Sequence, residues 1–518
     1  MSDGEVPLRP ALRALRERRQ RGSDAARPEA VERRHRRGFR TARENLADLL
    51  QGAGFIEYGE LAVAAQRNRR DYLELQRETP GDGVITGIGR VNAALFDGGA
   101  ARCALLVYDY TVLAGTQGFF HHAKIDRILE IAARQRLPVL MYTEGGGGRP
   151  GDTDVSTQIA GLNVPTFARW AGLDSGRPRI AVNNGYCFAG NAALFGSADI
   201  RIATESSCIG MAGPAMIEGG GLGRFAATEI GPATSQWRNG VIDLLVPDEA
   251  AATAAARRLL AYFQGDTGPG DCAAQESLRE ALPEDRRFGY PVRPVIDTLF
   301  DRESFTELRR VFGRSVITGL ARLGGRAVGV LASDCQQLGG AVDGDAADKA
   351  ARFLRLCDRT GLPVISLVDT PGFMVGPDSE NAAAVHRMSE LFRAAATLRS
   401  PLLAVFLRKG YGLGAMALVG GSFAVPELAL AWPSGEFGGM GLEGAVRLGF
   451  RKELEAVADA GERQALYERL LAELYEKGRA SEAAAHLEID AVIDPAQTRA
   501  LLIDALPPPG ADGRGAAG

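Results

Sequence analysis

Residues 121–147, HHAKIDRILEIAARQRLPVLMYTEGGG, line up with residues 343–373, DGDAADKAARFLRLCDRTGLPVISLVDTPGF. Lys124 falls on Lys349, an offset of 225. Asp109, Gly115, Pro138 and Glu144 fall on Asp334, Gly340, Pro363 and Asp369 at that same offset. Register that holds through helix, strand and loop marks a repeated structural unit. After a loop that differs in length by about two residues, the spacing places Gly185-Tyr186 on Gly410-Tyr411, again 225 apart. The chain reads as two copies of one unit.

Each copy alternates helical and strand patterns, which is the signature of an α/β fold. Ile125, Ile128, Leu129 and Ile131 recur at helical spacing and stop before Pro138. PVLMY and PVISLV are short apolar runs of strand type, and each runs into a loop, EGGGGR at 144–149 and DTPGF at 369–373. A second strand, around Ile180 in one copy and Leu402 in the other, leads to GYCFAG at 185–190 and GYGLG at 410–414, each followed by a small apolar helix. Strand, Gly-rich turn, then helix aims free backbone N–H groups at a ligand. One such turn is more often a tight turn than a site. Four at matched places favour function.

Composition narrows the field. The 518 residues carry 60 basic against 64 acidic side chains, a net charge of −4, so no basic excess suits a nucleic acid or an anionic membrane. No apolar run is long enough to span a bilayer. The six cysteines form no CxxC pair and fit a reducing cytoplasm. None of the five His has a His or Cys partner at i+3 or i+4, and His121 and His122 diverge on a helix, so no metal is expected. No GxSxG elbow, Walker loop or HExxH occurs. Only five of the basic residues are Lys. Two of them, Lys124 and Lys349, sit at matched helix starts, where phosphate contacts and a solvated face are equally open readings. Arg149 reads as a phosphate contact or a loop-stapling ion pair. The pattern divides the chain into a flexible Arg-rich arm (1–30), a first unit (31–265), a Gly- and Pro-rich linker (266–295), a second unit (296–505) and a disordered tail (506–518). Residues 451–489 read as a solvated lid or interface helix.

Several motifs together resemble the carboxyltransferase (β) subunits of biotin-dependent acyl-CoA carboxylases, a branch of the crotonase-like superfamily. They include the opening helix from His35 to Leu50, the Cys187-Phe-Ala-Gly-Asn-Ala192 loop, Gly213-Pro214, Asp369-Thr-Pro-Gly-Phe373, Arg408-Lys-Gly-Tyr-Gly412, Ala431-Trp-Pro433, Met440-Gly441 and Ile493-Asp-Pro495. The resemblance runs from about Arg33 to Leu506. It implies two tandem crotonase-like (ClpP/crotonase) subdomains related by internal duplication. The implied reaction moves the carboxyl group of carboxybiotin to the carbon beside a CoA thioester, through an enolate stabilised by two oxyanion holes. By the same resemblance Ala189 and Gly190 serve the thioester oxygen, and Leu413 and Gly414 serve biotin. Gly147, Gly148, Gly185, Gly372, Phe373 and Gly412 line the two ligands.

With no biotinylation segment and no ATP-binding half, the chain is expected to rely on a biotin carboxylase and a biotin carboxyl carrier protein. It is also expected to form a homo-oligomer, a dimer or trimer of dimers. Two departures stand out: Met416 where acetyl- and propionyl-type members carry an acid, and Asn191 where many carry Gly. An acyl-CoA decarboxylase subunit running the half-reaction backwards, and a crotonase-like scaffold without activity, are the alternative readings.

Overall fold

The computed structural model describes residues 9–155 and 162–508, so the first eight residues of the arm and the tail from residue 509 lie outside the described residues. The chain divides into two compact units between Gln264 and Gly265.

The repeat that opens the sequence folds twice into the same piece. Helices Phe119–Gln135 and Gly344–Thr360 each bury one face, Ile125, Ile128 and Leu129 in the first and Ala350, Phe353 and Leu354 in the second. Each is closed by a left-handed residue, Arg136 at φ 52° and Gly361 at φ 71°, before the proline that cannot continue it. In the first unit the strands are β1 (Phe55–Tyr58), β2 (Val84–Arg90), β3 (Arg102–Tyr108), β4 (Val139–Tyr142), β5 (Arg179–Asn183), β6 (Tyr186–Phe188), β7 (Ile200–Thr204), β8 (Cys208–Gly210) and β9 (Leu244–Val246). They form a sheet of order β1-β2-β3-β4-β5-β7-β9 and a separate pair, β6-β8. β1 to β3 are antiparallel, and the rest of the large sheet is parallel.

The second unit repeats this with β10 (Thr306–Leu308), β11 (Val316–Leu323), β12 (Arg326–Ser333), β13 (Val364–Thr370), β14 (Leu402–Tyr411), β15 (Leu428–Ala431), β16 (Glu436–Gly438) and β17 (Ala491–Val492). Their order is β10-β11-β12-β13-β14-β15-β17, and β16 pairs the end of β14. β14 is therefore β5 and β6 drawn into one strand.

Sheet register corrects the sequence alignment. Ala104 sits opposite Val139 and Gly329 opposite Val364, which keeps the 225 offset through β4 and β13. One strand further on, Val139 faces Arg179 while Val364 faces Leu402, an offset of 223. The offset stays there, because Tyr186 faces Cys208 where Lys409 faces Glu436. Gly185-Tyr186 therefore corresponds to Arg408-Lys409, and not to Gly410-Tyr411. The two-residue difference in the preceding loop is never recovered.

The stretch 266–295 is not a free linker. Leu278, Tyr290 and Val292 are buried in the apolar core of the second unit, so it is packed structure despite its Gly and Pro content. The arm likewise carries two helices, Pro10–Arg21 and Pro28–Arg36, and Arg18 donates from Nη2 to the Leu61 carbonyl at 2.8 Å. Helix Ala460–Lys477 buries none of its residues within the chain. No described helix is long and apolar enough to cross a membrane.

Candidate active site

In each unit two loops leave the carboxyl ends of neighbouring parallel strands, where open α/β sheets present ligands. In the first unit the chain leaves β6 through Ala189, whose φ of 52° and ψ of −120° are unusual for a residue with a side chain. This bend starts helix Gly190–Gly196. The Ala189 N–H donates to the Gly210 carbonyl at 3.0 Å and is therefore occupied. Gly190 N–H opens the helix and has no acceptor among the described residues. The neighbouring loop adds a second open donor. Gln117 N–H donates to the Gly147 carbonyl and Arg149 N–H to the Gln117 carbonyl, leaving Gly148 N–H between them unused. A Cβ on Gly147 would stand 3.6 Å from the Gly190 nitrogen, so the two loops lie side by side. Asn191 ties them together: its Oδ1 accepts from Gly147 N–H at 2.9 Å and its Nδ2 donates to the Thr143 carbonyl at 3.0 Å.

The second unit builds the same cradle with other residues. Gly412 takes the place of Ala189, with φ 60°, and opens helix Gly412–Leu418. Leu413 and Gly414 follow in the first turn, and their N–H groups have no acceptor among the described residues. Val342 N–H donates to the Gly372 carbonyl and Met374 N–H to the Val342 carbonyl, so Phe373 N–H is left open as Gly148 N–H is. A Cβ on Gly414 would meet the Gly372 carbonyl carbon at 2.5 Å and the Phe373 nitrogen at 2.7 Å. Only a residue without a side chain lets these backbones come so close.

Beneath each cradle lies a buried ion pair. Glu144 accepts from Arg34 Nη1 at 2.8 Å, and Glu249 lies 3.6 Å from the same guanidinium. Asn45 and Asn184 donate to Glu249. Burial works against the Arg34 charge, but the hydrogen bond and attraction to Glu144, then Glu249, outweigh it and raise its pKa. A Cβ on Gly185 would sit 2.4 Å from Glu144 Oε1, which makes Gly185 the place where the turn rests on this carboxylate. In the second unit Asp369 replaces Glu144 and pairs with Arg408 at 3.1 Å. Arg408 lies 5.0 Å from the centre of the Tyr290 ring, and burial followed by the Asp369 charge drives the Tyr290 hydroxyl pKa well up.

The structure brings Gly147, Gly148, Gly185 and Gly190 together in the first unit, and Gly372, Phe373, Gly412, Leu413 and Gly414 in the second. Ala189 is the exception as a donor. By position Gly190 matches Leu413 and Asn191 matches Gly414. Lys124 is not solvated: its Nζ donates to the Gly81 carbonyl at 2.7 Å and to the Val84 carbonyl, and burial lowers its pKa to about 8. Lys349 is 1% exposed, and its Nζ has no hydrogen-bond partner among the described residues. Burial lowers its pKa to about 7. Arg149 pairs with Asp82 and Asp152, the loop-stapling alternative. Trp432 belongs to the core and donates to Thr498 Oγ1 at 2.9 Å, while Phe373 packs edge-on against Phe392. No His, Cys, Asp or Glu cluster able to hold a metal occurs among the described residues. Sequence reasoning missed Arg34, Glu249 and Gln117 as parts of the site. The matched acids Glu144 and Asp369 were the one signal that pointed toward them.

A duplicated α/β unit whose two copies each offer paired main-chain donors is equipped to stabilise negative charge on oxygen, as an enzyme that works through an enolate or another oxyanion requires. The carboxyl transferase domain model matches residues 33–508, and the chain belongs to that family. Its class is that of the carboxyltransferase subunits of biotin-dependent acyl-CoA carboxylases. The propionyl-CoA carboxylase beta chain of Saccharopolyspora erythraea is 31% identical over 500 residues, covering 92% of this chain and 89% of that one. The structure of a single-chain, multi-domain long-chain acyl-CoA carboxylase is similar at a TM-score of 0.89 and 50% identity over 96% of this chain, which spans about half (49%) of that much longer chain. Transcarboxylase 12S, a hexamer solved with methylmalonyl-CoA and methylmalonic acid bound, matches at a TM-score of 0.84 and 28% identity, covering 98% of this chain and 96% of that one.

Proposed function

We propose that the first-unit cradle receives the thioester oxygen of an acyl-CoA and the second-unit cradle receives the ureido oxygen of biotin. The observation that carries this is the matched set of open N–H groups, Gly148 with Gly190 and Phe373 with Leu413 and Gly414. Fixed amide donors stabilise charge that develops on a carbonyl oxygen without reorganising, and losing one such donor typically costs ~100- to 1000-fold in rate. The absence of a side chain at Gly414 lets the two loops pack backbone to backbone, which sets their open N–H groups side by side. Carboxybiotin, presented by a biotin carboxyl carrier protein that a biotin carboxylase recharges, supplies the carboxyl group. Gly148 and Gly190 would hold the thioester oxygen as charge gathers on it, the α-proton going to the ureido nitrogen that has given up its carboxyl group to the substrate carbon. Leu413 and Gly414 hold the charge left on the second oxygen. Buried Arg34–Glu144 and Arg408–Asp369 keep the two loop pairs from collapsing into the space the ligands need.

A long acyl chain is the substrate we favour. Support comes from the 50% identity to the long-chain acyl-CoA carboxylase. A homo-oligomer, a dimer or a hexamer like that of transcarboxylase 12S, and a cytoplasmic location complete the proposal. The six cysteines are all free thiols, as a reducing compartment requires. The test supplies purified protein with free biotin and malonyl-type CoA esters of graded chain length. Carboxybiotin should form, fastest with the long chains. No carboxybiotin from any ester, with or without a biotinylated partner, would discard the reading.

A further inference from the structure

One buried polar side chain beside the first cradle has no part in the main-chain scheme. Gln117 is 4% exposed, and its backbone already bonds both neighbours of Gly148, donating to the Gly147 carbonyl and accepting from Arg149 N–H. Its side chain runs to Gly190. A Cβ on Gly190 would collide with Gln117 Oε1 and lie 3.2 Å from Gln117 Cδ. A Cβ sits about 2.5 Å from its own nitrogen, so Oε1 is within about 5 Å of the open Gly190 N–H. Nε2 donates to the Tyr108 hydroxyl at 3.0 Å, whereas Oε1 receives no hydrogen bond from any described residue. The second unit has no counterpart. At the offset of 225, Val342 stands for Gln117 and Ser333 for Tyr108, although Val342 N–H makes the matching bond to the Gly372 carbonyl.

A buried carboxamide with one idle end is destabilising unless that end meets a partner. Charge in the cradle decides which end that is. With the cradle empty, Oε1 faces open N–H groups, a setting that suits a carbonyl oxygen. A negatively charged oxygen seated on Gly148 and Gly190 N–H repels the same lone pair. The Tyr108 phenol donates as readily as it accepts, so half a turn of the carboxamide keeps that contact and brings Nε2 to the cradle side. We infer that Gln117 is a third donor to the thioester oxygen: as that oxygen gains charge, Tyr108 donates to Oε1 and Nε2 donates into the first cradle. The second cradle, with Val342 at this place, works through main chain alone.

The inference rests on the acyl-CoA reading of the first unit, and one set of measurements separates the two. Steady-state transfer is measured for wild type, Gln117→Met, Tyr108→Phe and the double variant, with the CoA thioester and free biotin varied in turn. Gln117→Met fills the same space without a donor. Its kcat should fall about 10- to 100-fold, the loss of one hydrogen bond to a charged oxygen, with both KM values within about twofold of wild type. Tyr108→Phe keeps the carboxamide but not its brace, and should lower kcat by a smaller factor. In the Gln117→Met background the Tyr108→Phe change should add nothing, because the hydroxyl acts through the carboxamide. Isothermal titration with a thioether analogue, in which CH2 replaces the thioester carbonyl, should give the same Kd for wild type and Gln117→Met. A Gln117→Met kcat within about twofold of wild type overturns the inference and leaves the carboxyltransferase reading intact. So does weaker binding of the thioether, which would make Gln117 a wall of the pocket, or a Tyr108→Phe loss of equal size in both backgrounds. If Gln117→Met does not fold, an unchanged kcat in Tyr108→Phe overturns it equally. Wild-type protein that turns over no thioester sinks the underlying reading instead.

Discussion

The two cradles reach one geometry by opposite means. In the first unit a side chain does the holding: Asn191 accepts from Gly147 N–H and donates to the Thr143 carbonyl, so the loop is stapled from outside. In the second unit the corresponding residue is Gly414, and the loop is held by direct backbone contact with Gly372 and Phe373. The bend before each helix shows the same contrast, with Ala189 in the first unit where Gly412 stands in the second. The ion pairs diverge too. Arg34 has two acids within reach, Glu144 and Glu249, whereas Arg408 has Asp369 alone among the ion pairs of the described residues. After duplication, what the copies share is the placement of main-chain nitrogen, and the side chains that secure it are interchangeable.

That contrast predicts unequal responses to equivalent changes. Asp369→Asn leaves the Arg408 guanidinium buried without a counter-charge and should destabilise the second unit by about 3–5 kcal/mol. Glu144→Gln should cost the first unit less, because Glu249 remains 3.6 Å from Arg34. Urea unfolding of both variants checks the ranking, and equal losses would break the comparison. Next in size, Leu413→Pro removes one open N–H from a first helical turn, where proline is tolerated. Transfer should fall ~100-fold or more with the far-ultraviolet circular dichroism unchanged. Leu413→Ala should keep both, since that side chain is 60% exposed and contributes only its backbone.

A smaller effect concerns strain. Ala189→Gly should stabilise the first unit by about 1 kcal/mol by relieving its positive φ, as Gly412 already does in the second. An unchanged melting temperature would mean that the surroundings absorb the strain. The smallest expected signal is the pH dependence of Lys349. Its folded pKa is lowered to about 7 by burial, against an ordinary 10.5, so between those values the unfolded chain binds more protons than the folded one. The lysine therefore makes stability rise with pH across that window. Lys349→Met should remove this rise, and the wild-type and variant unfolding curves should converge from pH 7 toward pH 9. Parallel curves would show that the amine finds a partner when protonated.

The duplication, the α/β class and the four turns were legible because period, proline placement and glycine clusters are local properties of sequence. The corresponding residues within the turns were not. The two-residue loop difference shows in the alignment, but the recurrence of Gly-Tyr at Gly185 and Gly410 hides that it persists, and only strand register shows that the offset has become 223. The resemblance gave Ala189 as a donor, although its N–H is spent on Gly210. Arg34 escaped notice as a site residue because it lies 110 positions from Glu144, and no local pattern encodes that pairing. The 266–295 segment looked like a linker because it is rich in Gly, Pro and charge, yet Leu278, Tyr290 and Val292 are buried in the core of the second unit.

One feature of the sheets bears on how each cradle moves. In the first unit the strand is interrupted at Asn184-Gly185, and its outer piece is anchored by a short ribbon of its own, whereas β14 runs unbroken from Leu402 into the turn at Gly412. The second cradle is a cantilever fixed at its root, and the first is carried on a knuckle. Thermal flexing should concentrate at that knuckle, so deuterium should enter the amides of Tyr186–Phe188 sooner than those of Lys409–Tyr411.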